Sequence, residues 1–377
     1  MTAGPAAAAT ARTASATPQA VQAGTAPTTP QAVQADTAPT APQACTAPTT
    51  PQPGGAAGPQ PLVEPLPREV WRRALAEDPL ALVTQTPGWL DAILDTGEYR
   101  EAGRWYRWAD GRELALPMVR PADGRGGALG WPKEWGIGGV VAPGRPVTAA
   151  EARAVFADLG RLDGPAVLRP SPLTDGVWRA AAPAGAGLTP RVTYIVDLTG
   201  GFDTVWRERF AGRVRTQVRK AEWAGLSVVR GNDPRLLADF DHLYRLSVRR
   251  WADQEGTDHA TALALADRTN PYRNFAAVAH RLGAGCELWL AYLAGEPVAG
   301  LVTLLHGRHA KYWRGAMDKP AAAATGAPTL LQALALRAAC ERGCQWYHMG
   351  DSRAGDAVSR FKLGFGATAH PGAIYAL

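Results

Sequence analysis

Lysine is nearly absent. Of forty basic residues only Lys133, Lys220, Lys311, Lys319 and Lys362 are lysines, so each ammonium is worth placing. Cysteine is as scarce: Cys45, Cys286, Cys340 and Cys344 show no C-x-x-C pair and no metal-ligand spacing. That excludes a disulfide framework and a zinc ribbon, and leaves the thiols as small packed hydrophobes. The seven histidines form neither H-x-x-x-H nor H-E-x-x-H, so no metal site is expected. No apolar run reaches the roughly 18 residues that a membrane span needs. No basic segment followed by a leucine-rich stretch opens the chain, so no secretory signal is read. These absences make a reduced, cytoplasmic protein the expectation.

Residues 1–60 also lack charge, with Arg12 and Asp36 alone, and hold almost no large apolar side chain. Such a stretch cannot bury enough surface to offset its ordering entropy, and reads as a disordered Ala/Pro/Thr/Gln-rich tail. Thr17–Thr28 returns nearly unchanged as Thr29–Thr40, but this repeat has no hydrophobic face to stack. The tail's two charges cancel, so the net charge of +6 belongs to the remainder, which is long enough for two domains. A pI near 9.3 favours an anionic partner, such as RNA or a phosphorylated metabolite, wherever that charge clusters.

Beyond residue 60 the periodicity is clear. Two short helices come first, the second opened by Thr86-Pro87 as cap and first helical residue. Strand-like runs follow at 105–108, 113–120, 128–131 and 139–142, then an amphipathic helix over 148–162 and strands at 166–169 and 193–198. The second half reads as one long helix over 203–224, a strand at 226–230, and helices at 234–251 and 269–282. A meander of strands at 287–293, 298–306 and 310–315 follows, then a helix at 329–342 stopped by Gly343. A strand at 345–349, a loop, residues 358–365 and a strand at 373–377 complete an α+β order.

Three stretches carry chemistry. The helix over 203–224 gathers Arg207, Arg209, Arg213, Arg215, Arg219 and Lys220 within 14 residues, with Glu208 the only acid among them. Phosphate neutralisation is the functional reading, and a solvated helix face the plain one. The aromatic meander reads mainly as core. At the end stands Phe361-Lys-Leu-Gly-Phe-Gly366. Its Lys362 is either an ammonium placed where charge develops or a surface lysine between two core phenylalanines. His348 and Asp351 flank Gly350 at the end of the last sheet strand before it. Either could take a proton or bind a donor's amino group, or both could form the polar rim of a capped loop.

Taken together, Arg213–Glu222 with Ala224-Gly-Leu226, the run Glu287–Asp318, and Trp346–Gly350 with FKLGFG resemble the GNAT acyltransferase superfamily. The resemblance is to its Fem-type branch, tandem GNAT-like enzymes that move amino acids from aminoacyl-tRNA to amines. Thr86–Leu90 and Trp131–Pro143 are similar to that branch's leading domain. The resemblance implies two tandem GNAT-like α+β domains, 61–200 on the acceptor side and 201–377 on the donor side, behind the 1–60 tail. It places Lys362, with Phe361 beside it, at the aminoacyl ester. Arg213, Arg215, Arg219 and Lys220 are then the candidates for tRNA, and Asp351 and His348 for the amine proton or a donor's amino group, although the family usually has an apolar or aromatic residue where His348 stands. Arg120, Arg125 and Lys133 are candidates for an acceptor's phosphate. No heptad pattern runs through 231–285, so the coiled-coil arm of larger relatives is not expected.

CoA-using GNATs hold the pyrophosphate on a helix start after a Q/R-x-x-G-x-G/A loop. The matching Pro320–Pro328 stretch has one glycine, no leading Arg or Gln, and a proline that removes a donor. Aminoacyl-tRNA is therefore the expected co-substrate, with no resident cofactor. The acceptor is an amine of a peptidoglycan precursor or of a specialised, antibiotic-type metabolite, and the protein is expected to be a monomer. Two alternatives stand beside this: an acyl-CoA-dependent N-acyltransferase, and a catalytically silent module that binds RNA or a cell-wall precursor.

Overall fold

The computed structural model describes residues 60–377, so the expected tail lies outside the described residues except for Gln60. The first half runs β1 (Leu62–Pro65), α1 (Arg68–Glu77), α2 (Pro87–Leu94), β2 (Tyr99–Glu101), β3 (Arg104–Arg107), β4 (Glu113–Leu116), β5 (Val119–Pro121), β6 (Ala128–Leu129), α3 (Ala149–Leu159), β7 (Ala166–Leu168), α4 (Asp175–Ala181) and β8 (Gly187–Asp197). The second runs α5 (Gly201–Thr204), α6 (Gly212–Glu222), β9 (Leu226–Gly231), α7 (Pro234–Glu255), α8 (His259–Thr269), α9 (Tyr272–Leu282), β10 (Cys286–Leu293), β11 (Glu296–His306) and β12 (His309–Met317). It ends with α10 (Lys319–Thr325), α11 (Ala327–Glu341), β13 (Trp346–Asp351), α12 (Ala357–Gly364) and β14 (Thr368–Ala376).

One eleven-stranded sheet passes through both halves in the order β2-β5-β6-β7-β14-β8-β13-β12-β11-β10-β9, and β1-β3-β4 form a smaller sheet. The last strand, β14, lies between β7 and β8, so the end of the chain returns to complete the first half's sheet. Among the described residues two strand pairs are parallel, β6 with β7 and β12 with β13. The second pair sets up the site. It stays in register through His309↔Trp346, Ala310↔Tyr347 and Lys311↔His348, and then the two strands part.

Several expectations differ from the structure for local reasons. The long helix over 203–224 is two helices. α5 runs into a π-helical segment, Val205–Arg209, and Phe210 turns extended before α6 begins. The Phe210 ring is buried, 5.0 Å from Phe365, and that burial outweighs continuous helical hydrogen bonding. Pro117 splits the strand expected over 113–120 into β4 and β5. Residues 139–142 form no strand, only a bridge from Val141 to Ala115. The helix expected over 269–282 begins at Tyr272, because Pro271 separates it from α8. The loop over 320–328 is mostly the short helix α10, capped by the Asp318 carboxylate.

Candidate active site

Where β12 and β13 part, side chains converge from both faces of the sheet. α12 is opened by Asp356, whose carboxylate accepts from the Ser359 amide, and it presents Lys362 to the end of β13. Lys362 is 3% exposed. Its Nζ donates to the carbonyls of Gly350 (3.0 Å) and Asp351 (2.7 Å) and lies 5.6 Å from the centre of the Tyr194 ring. Burial pulls the ammonium down to about 8, against the opposing charges of Asp351 and Asp356. The surface-lysine reading of FKLGFG is thereby removed. Beside it Phe361 packs on Phe365 with ring centroids 4.9 Å apart.

Asp351 is fully engaged. Arg169, just past β7, reaches both carboxylate oxygens at 2.7 and 2.8 Å, and the Thr193 hydroxyl donates at 2.7 Å. Burial pushes this carboxyl up, but the Arg169 charge and the Thr193 hydrogen bond more than offset it and hold it below the ordinary carboxylate range. An ionised carboxylate so held fixes the end of β13 better than it accepts protons.

His348 is buried in the parallel pair, its Nε2 3.0 Å from Nδ1 of His309. His309 Nε2 lies 3.1 Å from the Pro79 carbonyl, and a carbonyl can only accept. Nε2 of His309 therefore carries the proton, its Nδ1 accepts from His348, and the bare Nδ1 of His348 has no partner. Burial holds His348 well below the usual imidazole range and His309 at about 4, so both rings are neutral at pH 7.

Lys311, which the motifs did not single out, stands at the point of parting. It shares a face of β12 with His309, against the first half's wall, where its Nζ lies near Thr84 and Gly136. Farther along that strand Arg314 donates to the Glu134 carbonyl at 3.2 Å and to its carboxylate at 3.4 Å. Glu134 sits at φ +76°, a strained conformation for a residue with a side chain, in the loop that faces this strand. A lysine inside an apolar strand, in a chain with five of them, was the available signal for Lys311. Arg169 and Thr193 had none.

The remaining candidates do not join this cluster. Arg213 is exposed on α6, and its Nη2 donates to the Arg360 carbonyl at 3.3 Å. Arg215 turns back to donate to the carbonyls of Trp206, Arg207 and Phe210, closing the broken end of the π-helical segment. Arg219 is exposed with its guanidinium 5.9 Å from the Trp206 ring, and Lys220 is exposed one residue on. Arg120 lies on β5 opposite Arg100, with Arg125 in the turn beyond it and Lys133 exposed on the loop before Glu134. Cys286, Cys340 and Cys344 are free thiols raised by burial, and Cys45 lies outside the described residues. No three His, Cys, Asp or Glu side chains among the described residues are grouped to hold a metal ion. No helix among them is long and apolar enough to cross a membrane.

Known proteins share this fold. The family model described as an acetyltransferase (GNAT) domain matches residues 206–363, which span β9 to β13, Lys311 and Lys362. No curated protein sequence matches the chain. The crystal structure of FemX is similar with a TM-score of 0.62 at 13% identity, covering 83% of this chain and 96% of FemX. A conserved protein of unknown function from Bacteroides thetaiotaomicron is similar with a TM-score of 0.50 at 12% identity, over 83% of this chain and 98% of that one. The C-terminal domain of a putative lysylphosphatidylglycerol synthetase from Agrobacterium fabrum gives 0.49 at 11%, over 82% and 91%. Residues 206–363, which carry the parted strands, thus match a GNAT acetyltransferase domain, and the chain as a whole has a Fem-like fold.

Proposed function

We propose that the chain transfers an amino acid from aminoacyl-tRNA to an amine, on a peptidoglycan precursor or a specialised metabolite, and forms an amide. The observation that carries the reading is the buried ammonium of Lys362 at the opening between β12 and β13. The acceptor nitrogen attacks the ester carbonyl, and a C–N bond forms as the carbonyl oxygen becomes an oxyanion. That charge develops beside Lys362, which is where a fixed cation lowers the barrier. The C–O bond to the ribose then breaks, and the amine's proton passes to the leaving oxygen through the vicinal ribose hydroxyl. No triad is needed, in keeping with an Asp351 already tied to Arg169.

A tRNA donor is favoured over CoA by the start of α11. Its cap, Gly326, is so close to α6 that a Cβ there would lie 3.3 Å from Ala221, and Pro328 lacks an amide proton. A pyrophosphate would need that helix start open. Exposed Arg213, Arg219 and Lys220 on α6 supply phosphate contacts instead. In this reading the second half takes the donor and the first half the acceptor, in a cytoplasmic protein that needs no resident cofactor. The test offers the protein charged tRNA and acetyl-CoA separately, with a mixture of amines. Deacylation of tRNA that depends on amine supports the reading. Release of free CoA with tRNA untouched contradicts it and favours the CoA-dependent alternative.

A further inference from the structure

Four cations meet around the parting of β12 and β13, and three are satisfied. Arg169 is paired with Asp351, Arg314 with Glu134, and Lys362 donates to two carbonyls. Lys311 has neither an ion pair nor a hydrogen bond among the described residues. It faces Arg169, Arg314 and Lys362 as like charges, and the one carboxylate near it, Asp351, is already shared. Lys311 is half-buried, and holding an ammonium there without a partner is costly, whereas each of the three cations around it has one. Burial and those like charges pull Lys311 down to about 8. Its Nζ stands on the first half's side of the sheet, near Thr84 and Gly136, whereas Lys362 enters with α12 from the other side.

We propose that Lys311 binds an anionic group, a carboxylate or a phosphate, that the acceptor carries close to its reacting amine. The acceptor is then an amino acid-like or phosphorylated amine and not a simple alkylamine or a neutral sugar amine. Its anion supplies the partner that Lys311 lacks, and binding there directs the amine into the opening next to the ester carbonyl. This rests on the cleft being the acyl-transfer site, and not on tRNA being the donor.

Two anions serve as probes: inorganic pyrophosphate for a phosphate, and malonate for a carboxylate. The melting temperature of the full chain is followed with each, against sodium chloride of equal ionic strength. At least one probe should raise the wild-type value beyond chloride, and the one that does names the class. Lys311→Met should weaken the apparent affinity on the order of 10–10²-fold, the worth of one charge-assisted hydrogen bond. Without anion it should melt no lower than wild type, because it removes a half-buried charge that has no partner.

A second measurement does not depend on the variant folding. Wild-type protein is acetylated with a succinimidyl ester, and the five lysines are mapped by mass. The effective anion should protect Lys311 and leave Lys319 unchanged. No anion-specific rise in the wild type, a rise kept in full by Lys311→Met, or Lys311 labelled equally with and without anion would each overturn the proposal. If charged tRNA is not consumed while the Lys311-dependent anion effect persists, the donor assignment fails and the acceptor site stands. If transfer from tRNA proceeds with no Lys311-dependent anion effect, the reverse holds.

Discussion

The two parallel strand pairs occupy comparable positions in the two halves and are lined in opposite ways. Between β6 and β7 the paired residues are Ala128↔Ala166 and Leu129↔Val167. The core around them closes with Phe156, Trp178 and Tyr375, with Phe156 5.4 Å from Trp178 and 5.3 Å from Tyr375. Between β12 and β13 the corresponding place holds Lys311 and His348, with Lys362 and Asp351 just beyond. One parting is filled with hydrocarbon and the other is kept polar. Apolar area stabilises by contact, whereas buried charge stabilises only when partnered. The first pair is built as scaffold, and the second is the place proposed for the reactants. The first half still helps to build the second's polar cluster, because Arg169 directly after β7 holds Asp351, and Gly136 and Thr84 wall Lys311.

Four perturbations sharpen this contrast. Trp178→Ala in the closed parting should cost about 3–5 kcal/mol of stability, as large-to-small changes at buried aromatics do, while transfer by the folded fraction keeps its rate. Denaturant melts together with kcat measured well below the transition would check it. Lys362→Met in the open parting should do the converse. Its kcat falls on the order of 10²–10³-fold, the loss when one oxyanion donor is removed, while the melting temperature moves little because the aliphatic stem remains. An equal loss of activity from both variants would erase the distinction between scaffold and site.

pH separates rate from stability at the open parting. Lys362 is held at about 8, so its ammonium is lost as pH rises through that value, and the transfer rate should fall about tenfold per unit above it. Stability should move the other way. Between about 8 and the ordinary lysine value near 10.4, Lys311 and Lys362 carry fewer protons folded than unfolded, so unfolding free energy rises with pH across that window. A pH–rate profile beside a pH series of melts reads both slopes. The smallest effect is expected far from either parting. Arg213→Ala should weaken tRNA binding and lower its salt slope by about 1, with single-turnover chemistry at saturation kept.

What was legible in the sequence follows from the range of the interactions concerned. The meander β10–β12 and the helices α3, α7 and α11 carry apolar periodicity, which is local. α8 was not anticipated: none of its residues is fully buried, and only Ala262, Leu263 and Ala266 pack partly against the core. The break after α5 depends on Phe210 finding Phe365, more than 150 residues on, and no window of sequence contains that contact. The same holds at the site. Lys362 could be read from FKLGFG, but Arg169 becomes relevant only through Asp351, 182 residues away. Arg215 looked like a phosphate ligand by spacing and instead caps the carbonyls that the broken helix exposes.

The central claim, that acyl transfer takes place where β12 and β13 part, is tested most directly by a crystal structure with a hydrolysis-resistant donor. An adenosine bearing an aminoacyl group through a 3′-amide suits the purpose. The account predicts the amide carbonyl oxygen within hydrogen-bonding distance of Lys362 Nζ, at the opening bounded by Lys311 and Gly350. A donor bound elsewhere on the chain, with that opening unengaged, would contradict it.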